Sequence, residues 1–168
     1  MNYKILVFIS VFVGFSFFGR SQNNIDEAIE KYNSNSVDYI SVEELVQLKA
    51  SNQNIKLLDA RQPSEYSISR LQDAIFAGYD DFNLKSIQDK LKPEDTIVVY
   101  CSIGVRSEDI GERLQKAGYK HVFNLYGGIF EWVNEGYQIY NQKGKPTNRI
   151  HAYDRFWGRY LEKGQKVF

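Results

Sequence analysis

A chain of 168 residues with 21 Lys and Arg against 21 Asp and Glu can bury one proper core. It has no charge excess that would suit nucleic acid or an anionic membrane. One cysteine excludes an internal disulfide, leaving that thiol either buried and inert or reactive.

The N-terminus reads as a secretory signal over residues 1–21. Lys4 supplies the positive charge, Ile5 to Phe18 is apolar apart from Ser10, Gly14 and Ser16, and Gly19 and Ser21 give small residues two apart. The run is shorter than the roughly 20 residues of a membrane span, so cleavage is expected between Ser21 and Gln22 and no stable membrane insertion afterwards, with an uncleaved N-terminal anchor as the alternative. No cysteine lies near that point to carry a lipid anchor. Export places the mature chain in the periplasm or outside the cell. Removing Lys4 and Arg20 leaves 19 basic and 21 acidic residues, a net charge of −2.

Residues 22–38 are polar and read as a linker or a short helix around Ile25–Tyr32. Ser41-Val42-Glu43-Glu44 has the form of a capping box, and Val42, Leu45, Val46 and Leu48 continue a helical stripe to Ala50. Ile55 to Asp59 is a short strand, Pro63 to Tyr66 a turn into a short helix, and Ala74 to Ala77 a further strand. Leu84, Ile87 and Leu91 have helical spacing, closed by Lys92-Pro93-Glu94-Asp95. Thr96 to Tyr100 is a continuous β-branched and aromatic run, as at the centre of a parallel sheet. A helix is expected over Ser107 to Ala117 with Gly118 at its end, a strand over Val122 to Leu125, and a helix over Ile129 to Asn134 holding Trp132. Strands and helices alternating at this spacing give an α/β fold, a parallel sheet with helices on both faces. From Lys143 onward the chain is basic and aromatic without a clear period. Its Tyr153, Phe156, Trp157 and Tyr160 are expected to pack across the domain, with a partner surface as the alternative.

Cys101 stands where the central strand ends, followed by Ser102, Ile103, Gly104, Val105 and Arg106 and then a helix. Sites in open α/β sheets form beyond the carboxyl ends of strands. Gly104 lets the backbone curl, and Arg106 and the helix N-terminus add positive potential. Each lowers a thiol pKa, and the thiolate is the nucleophile. The same cradle suits a persulfide or an oxyanion. Asp59 and Arg61 lie near another strand end; they are read as a structural ion pair, with substrate orientation by Arg61 as the alternative. Glu65 is read as structural. His121 and His151 are expected at the surface and Trp132 in the core.

With these residues in view, Ile40 to Tyr140 resembles the rhodanese-like family. The resemblance rests on Ser41 to Leu45, on Leu57-Leu58-Asp59-Ala60-Arg61 with Glu65-Tyr66, on Tyr100 to Ser107, and on Asn124-Leu125-Tyr126-Gly127-Gly128 with Trp132. It implies a three-layer domain over residues 39–141, followed by an extension over 142–168. It implies that Cys101 takes sulfur from a small donor such as thiosulfate, becoming a persulfide cradled by the N–H groups of Ser102 through Arg106. A thiol or cyanide, or a protein acceptor, then removes it, with no metal or organic cofactor and ping-pong kinetics. The chain departs from the family at Ser69-Arg70-Leu71-Gln72-Asp73-Ala74, where the family often has Gly-His-Ile-Pro-Gly-Ala; Arg70 could add charge near the mouth. Related phosphatases and arsenate reductases use one residue more in the loop, which favours sulfur over phosphate here. A non-enzymatic sulfur carrier or binding module stays open beside the enzyme.

Overall fold

Five short segments pair side by side as one parallel sheet in the protein, described here from a computed structural model that covers residues 25–51 and 54–168. The expected signal over 1–21 lies outside the described residues. In chain order the elements are α1 (Ile25–Tyr32), β1 (Tyr39–Ile40), α2 (Val42–Ala50), β2 (Ile55–Asp59), α3 (Pro63–Ile68), β3 (Ile75–Phe76), β4 (Thr96–Tyr100), α4 (Val105–Lys116), β5 (Val122–Leu125) and α5 (Gly128–Asn134). The sheet runs β1-β5-β4-β2-β3, so β4 is central and its end carries Cys101.

The pleat of β4 explains the three layers. Val98 and Tyr100 face a core built with Leu45 of α2, Ile25 and Ile29 of α1, and Ile129 and Phe130 of α5. Ile97, Val99 and Cys101 face the other side, against Ile110 and Leu114 of α4 and Ile87 and Leu91. A strand buried on both faces must be apolar throughout, as Thr96 to Tyr100 nearly is.

Local signals hold at several ends. The Ser41 hydroxyl accepts the Glu44 N–H at 3.1 Å, and Glu44 Oε2 accepts the Ser41 N–H at 2.8 Å, closing the expected box. The helix after the thiol starts at Val105, two residues before its expected start, because Gly104 itself is the N-cap at φ +115°. The last helix of the domain likewise starts at Gly128. The helix expected across Leu84 to Leu91 is replaced by 3-10 turns at Leu84–Ser86 and Gln88–Lys90. The three-residue step from Leu84 to Ile87 satisfies either structure, and Asn83 Oδ1 takes the Lys85 N–H at 3.1 Å, which favours the tight turn.

Beyond α5 the chain forms an antiparallel pair, β6 (Ile139–Tyr140) with β7 (Pro146–Thr147), and a parallel pair, β8 (Arg149–His151) with β9 (Gln165–Val167). Ile150, Ala152 and Leu161 are fully buried in the core that holds Tyr100. The tail aromatics divide: Trp157 and Tyr160 pack against that core, whereas Tyr153 and Phe156 stay exposed. His121 is exposed, His151 half-buried, and Trp132 is in the core. Among the described residues no helix is long and apolar enough to cross a membrane.

Candidate active site

Cys101 is 1% exposed, at the floor of a cleft of about 150 Å³. Ser102, Ile103, Val105 and Arg106 line the cleft from the loop, and Tyr153 and Trp157 from the tail. The Gly104 N–H donates to the Cys101 sulfur at 3.2 Å. Burial pushes the thiol up, but Arg106, the Ser107 hydroxyl and N–H, and the Gly104 N–H outweigh it and hold the pKa below its ordinary value. Ser107 is a contributor that reading Cys101 to Arg106 alone did not include.

Two remote residues hold the loop. Asn124 on β5 donates to the Gly104 carbonyl at 2.8 Å and accepts the Ser107 hydroxyl at 2.7 Å. Asn33, just after α1, donates to the same carbonyl at 3.0 Å. The Glu108 carboxylate accepts the N–H groups of Ser34 and Ser36, each at 2.9 Å, tying the N-terminal segment to α4. The residues read as a linker thus brace the thiol loop. From below, the N–H groups of Ile129 and Phe130 donate to the carbonyls of Cys101 and Ser102 at 2.9 and 3.1 Å.

Arg106 is not a free cation. Its Nη1 meets Glu65 Oε2 at 2.7 Å and its Nη2 meets Oε1 at 2.9 Å. The Ser102 hydroxyl joins them, donating to Glu65 Oε1 at 3.1 Å and accepting from Arg106 Nη2 at 3.0 Å. Burial raises the Glu65 pKa, but the ion pair with Arg106 overrides it and holds the carboxyl below its ordinary value. Glu65, read from sequence as structural, is therefore the counter-ion of the site's arginine.

Asp59 and Arg61 form a separate, fully buried pair at 2.7 Å. Arg61 also donates to the Ser69 carbonyl at 2.6 Å, and the Tyr100 hydroxyl donates to Asp59 Oδ2 at 2.7 Å. Neither residue is among those that line the cleft. Arg70 does not sit at the mouth: its guanidinium lies over the Tyr66 ring at 4.5 Å and donates to the Gln142 carbonyl. The residues that replace the family's Gly-His-Ile-Pro-Gly-Ala stretch form a bridge there, with Arg70 and Tyr140 exchanging two backbone bonds of 2.9 Å. Among the described residues no cluster of His, Cys, Asp and Glu could hold a metal ion.

A parallel sheet with a thiol loop at the end of its central strand defines a class, and the comparisons agree. Residues 41–135 match the Rhodanese-like domain, and the chain belongs to this family of sulfurtransferases. It is similar to a sulfurtransferase of Allochromatium vinosum, 33% identical over 109 residues that cover 64% of this chain and 99% of that protein. It is also similar to the tRNA uridine(34) hydroxylase of Prochlorococcus marinus, 28% identical over 123 residues, covering 67% of this chain but only 39% of that protein. The thiosulfate sulfurtransferase from Pseudomonas aeruginosa shares the fold at a TM-score of 0.57 and 23% identity, over 74% of this chain and 23% of that one.

Proposed function

We propose that this protein is an exported sulfurtransferase that carries sulfane sulfur on Cys101. The supporting observation is the thiol itself: a strand-end sulfur that accepts the Gly104 N–H at 3.2 Å and has its pKa lowered. With thiosulfate, the Cys101 thiolate attacks the outer sulfur and forms a new S–S bond. The donor S–S bond breaks and sulfite leaves with its electron pair. Cyanide, or a thiolate, then attacks the terminal sulfur, and the Cys101 thiolate is released. The site residues supply positioning and N–H donors, and no step needs a metal or organic cofactor. The six-residue span from Cys101 to Arg106 supports sulfur over a phosphate ester.

Intact mass spectrometry tests this. Thiosulfate is expected to add one sulfur atom, cyanide to remove it with release of thiocyanate, and Cys101→Ser to abolish the addition. Repeated turnover separates an enzyme from a carrier that is loaded once. Hydrolysis of a phosphate ester by a protein that no donor modifies would overturn the reading. For export, the expected N-terminus is Gln22 in the extracytoplasmic fraction; a cytoplasmic protein beginning at Met1 would refute it.

A further inference from the structure

Chain from both sides of the matched residues 41–135 meets at the thiol cleft. The Trp157 ring lies edge-on to Tyr32 at 5.1 Å and contacts Tyr160 at 6.0 Å. Tyr153 lies over the Arg106 guanidinium at 4.8 Å. Its backbone is left-handed, at φ +65°, and its N–H is held by His151 Nδ1 at 3.0 Å. A bulky residue in that conformation is strained, and the surroundings must hold it there.

The charge of the cleft points the same way. Among the described residues that line the cleft Arg106 is the one cation, and both Glu65 oxygens already engage it. A small dianion gains little net attraction from a neutralised pair. The remaining walls are mainly Ile103, Val105, Tyr153 and Trp157. About 150 Å³ is room for one benzene-sized group, and apolar walls favour such a guest.

We propose that the C-terminal extension makes this cleft a site for organic sulfane donors, R–S–SH, in which R is an apolar group about the size of one ring, selected by Tyr153 and Trp157. This rests on the sulfurtransferase reading above. The Cys101 thiolate attacks the outer sulfur, the Cys101–S bond forms, and the donor S–S bond breaks. RS⁻ leaves with the bonding pair, and the proton stays on the transferred sulfur. Tyr153 and Trp157 hold R against the wall so that the outer sulfur faces the thiolate.

Stable thiosulfonates test the selection, because methanethiosulfonate and benzenethiosulfonate carry the same charge and differ only in the apolar body. In each, the outer sulfur passes to Cys101 and a sulfinate leaves. With cyanide as acceptor, kcat/KM for the phenyl donor is expected to exceed that for the methyl donor at least about tenfold, carried mainly by KM. Trp157→Ala and Tyr153→Ala are each expected to collapse that ratio toward one, while Phe168→Ala, at an exposed residue that does not line the cleft, keeps it. If Trp157→Ala fails to fold, Tyr153→Ala and the wild-type donor series still decide. Equal kcat/KM for the two donors in the wild type overturns the inference, as does a preference that survives both substitutions. Failure of both thiosulfonates and of thiosulfate to load sulfur on Cys101 would instead overturn the sulfurtransferase reading.

Discussion

Gly128 approaches Cys101 so closely that a β-carbon at this glycine would lie 2.5 Å from the Cys101 carbonyl oxygen and 2.7 Å from that of Ser102. Its φ of +56° adds a second reason for glycine. Gly128→Ala must therefore move the thiol loop or the start of α5. We expect it to cost roughly 2–4 kcal/mol in urea unfolding. Alkylation of Cys101 in the folded protein should also change in rate, since the loop cannot stay where it is.

Glu65 and Arg106 give a prediction about acid. Glu65 is nearly fully buried and its carboxyl is held below its ordinary value, so the unfolded chain binds the proton more readily. Its contribution is complete above the ordinary carboxylate pKa and is lost as pH falls through the lowered, folded value. Glu65→Gln removes that dependence and leaves Arg106 without its counter-ion, at a cost of about 3 kcal/mol near neutral pH. Denaturant unfolding across acid pH should show a flatter profile for the variant than for the wild type. Parallel profiles would contradict this account.

The acidity of Cys101 can be read from alkylation. Iodoacetamide reacts with the thiolate, so the rate against pH should rise with a midpoint below that of an ordinary thiol. Arg106 is the largest influence lowering the pKa, so Arg106→Gln should shift the midpoint upward. An unchanged midpoint would mean that the Glu65 pairing already cancels the arginine's effect at the sulfur.

Asn33 and Asn124 hold one carbonyl between them, that of Gly104. Asn124→Ala should cost about 2 kcal/mol, since it also removes the acceptor of the Ser107 hydroxyl. With Asn33→Ala added, that carbonyl loses both side-chain donors. A double-mutant cycle in denaturant is expected to show a coupling of about 1 kcal/mol. Strict additivity would indicate that the carbonyl finds another donor.

The sequence exposed those features that depend on near neighbours. Thr96 to Tyr100 reads as a central strand because burial on both faces demands an unbroken apolar run, and Ser41 with Glu44 reads as a cap because both partners lie within one turn. The helix expected over Leu84 to Leu91 failed because its first step, three residues from Leu84 to Ile87, cannot separate an α-helix from a 3-10 turn. In the tail, strands of two or three residues are too short to display alternation. At the site, Cys101, Gly104 and Arg106 could be picked out locally. The partners Glu65, Asn33 and Asn124 lie 41, 71 and 20 residues from their contacts in the loop, distances that only the folded chain spans. Tyr153 and Trp157 read as general packing because nothing near them in sequence points to the thiol.

The two bonds from α5 to the loop have one more consequence. In a trans peptide the C=O and N–H groups point in opposite directions, and every described peptide bond here is trans. Pinning the carbonyls of Cys101 and Ser102 toward Ile129 and Phe130 therefore turns the N–H groups of Ser102 and Ile103 away from α5. The glycine corner before α5 thus fixes the electrical polarity of the first half of the loop. A change in how that helix sits would reverse or scramble those dipoles and be felt as a change of acidity at the Cys101 sulfur.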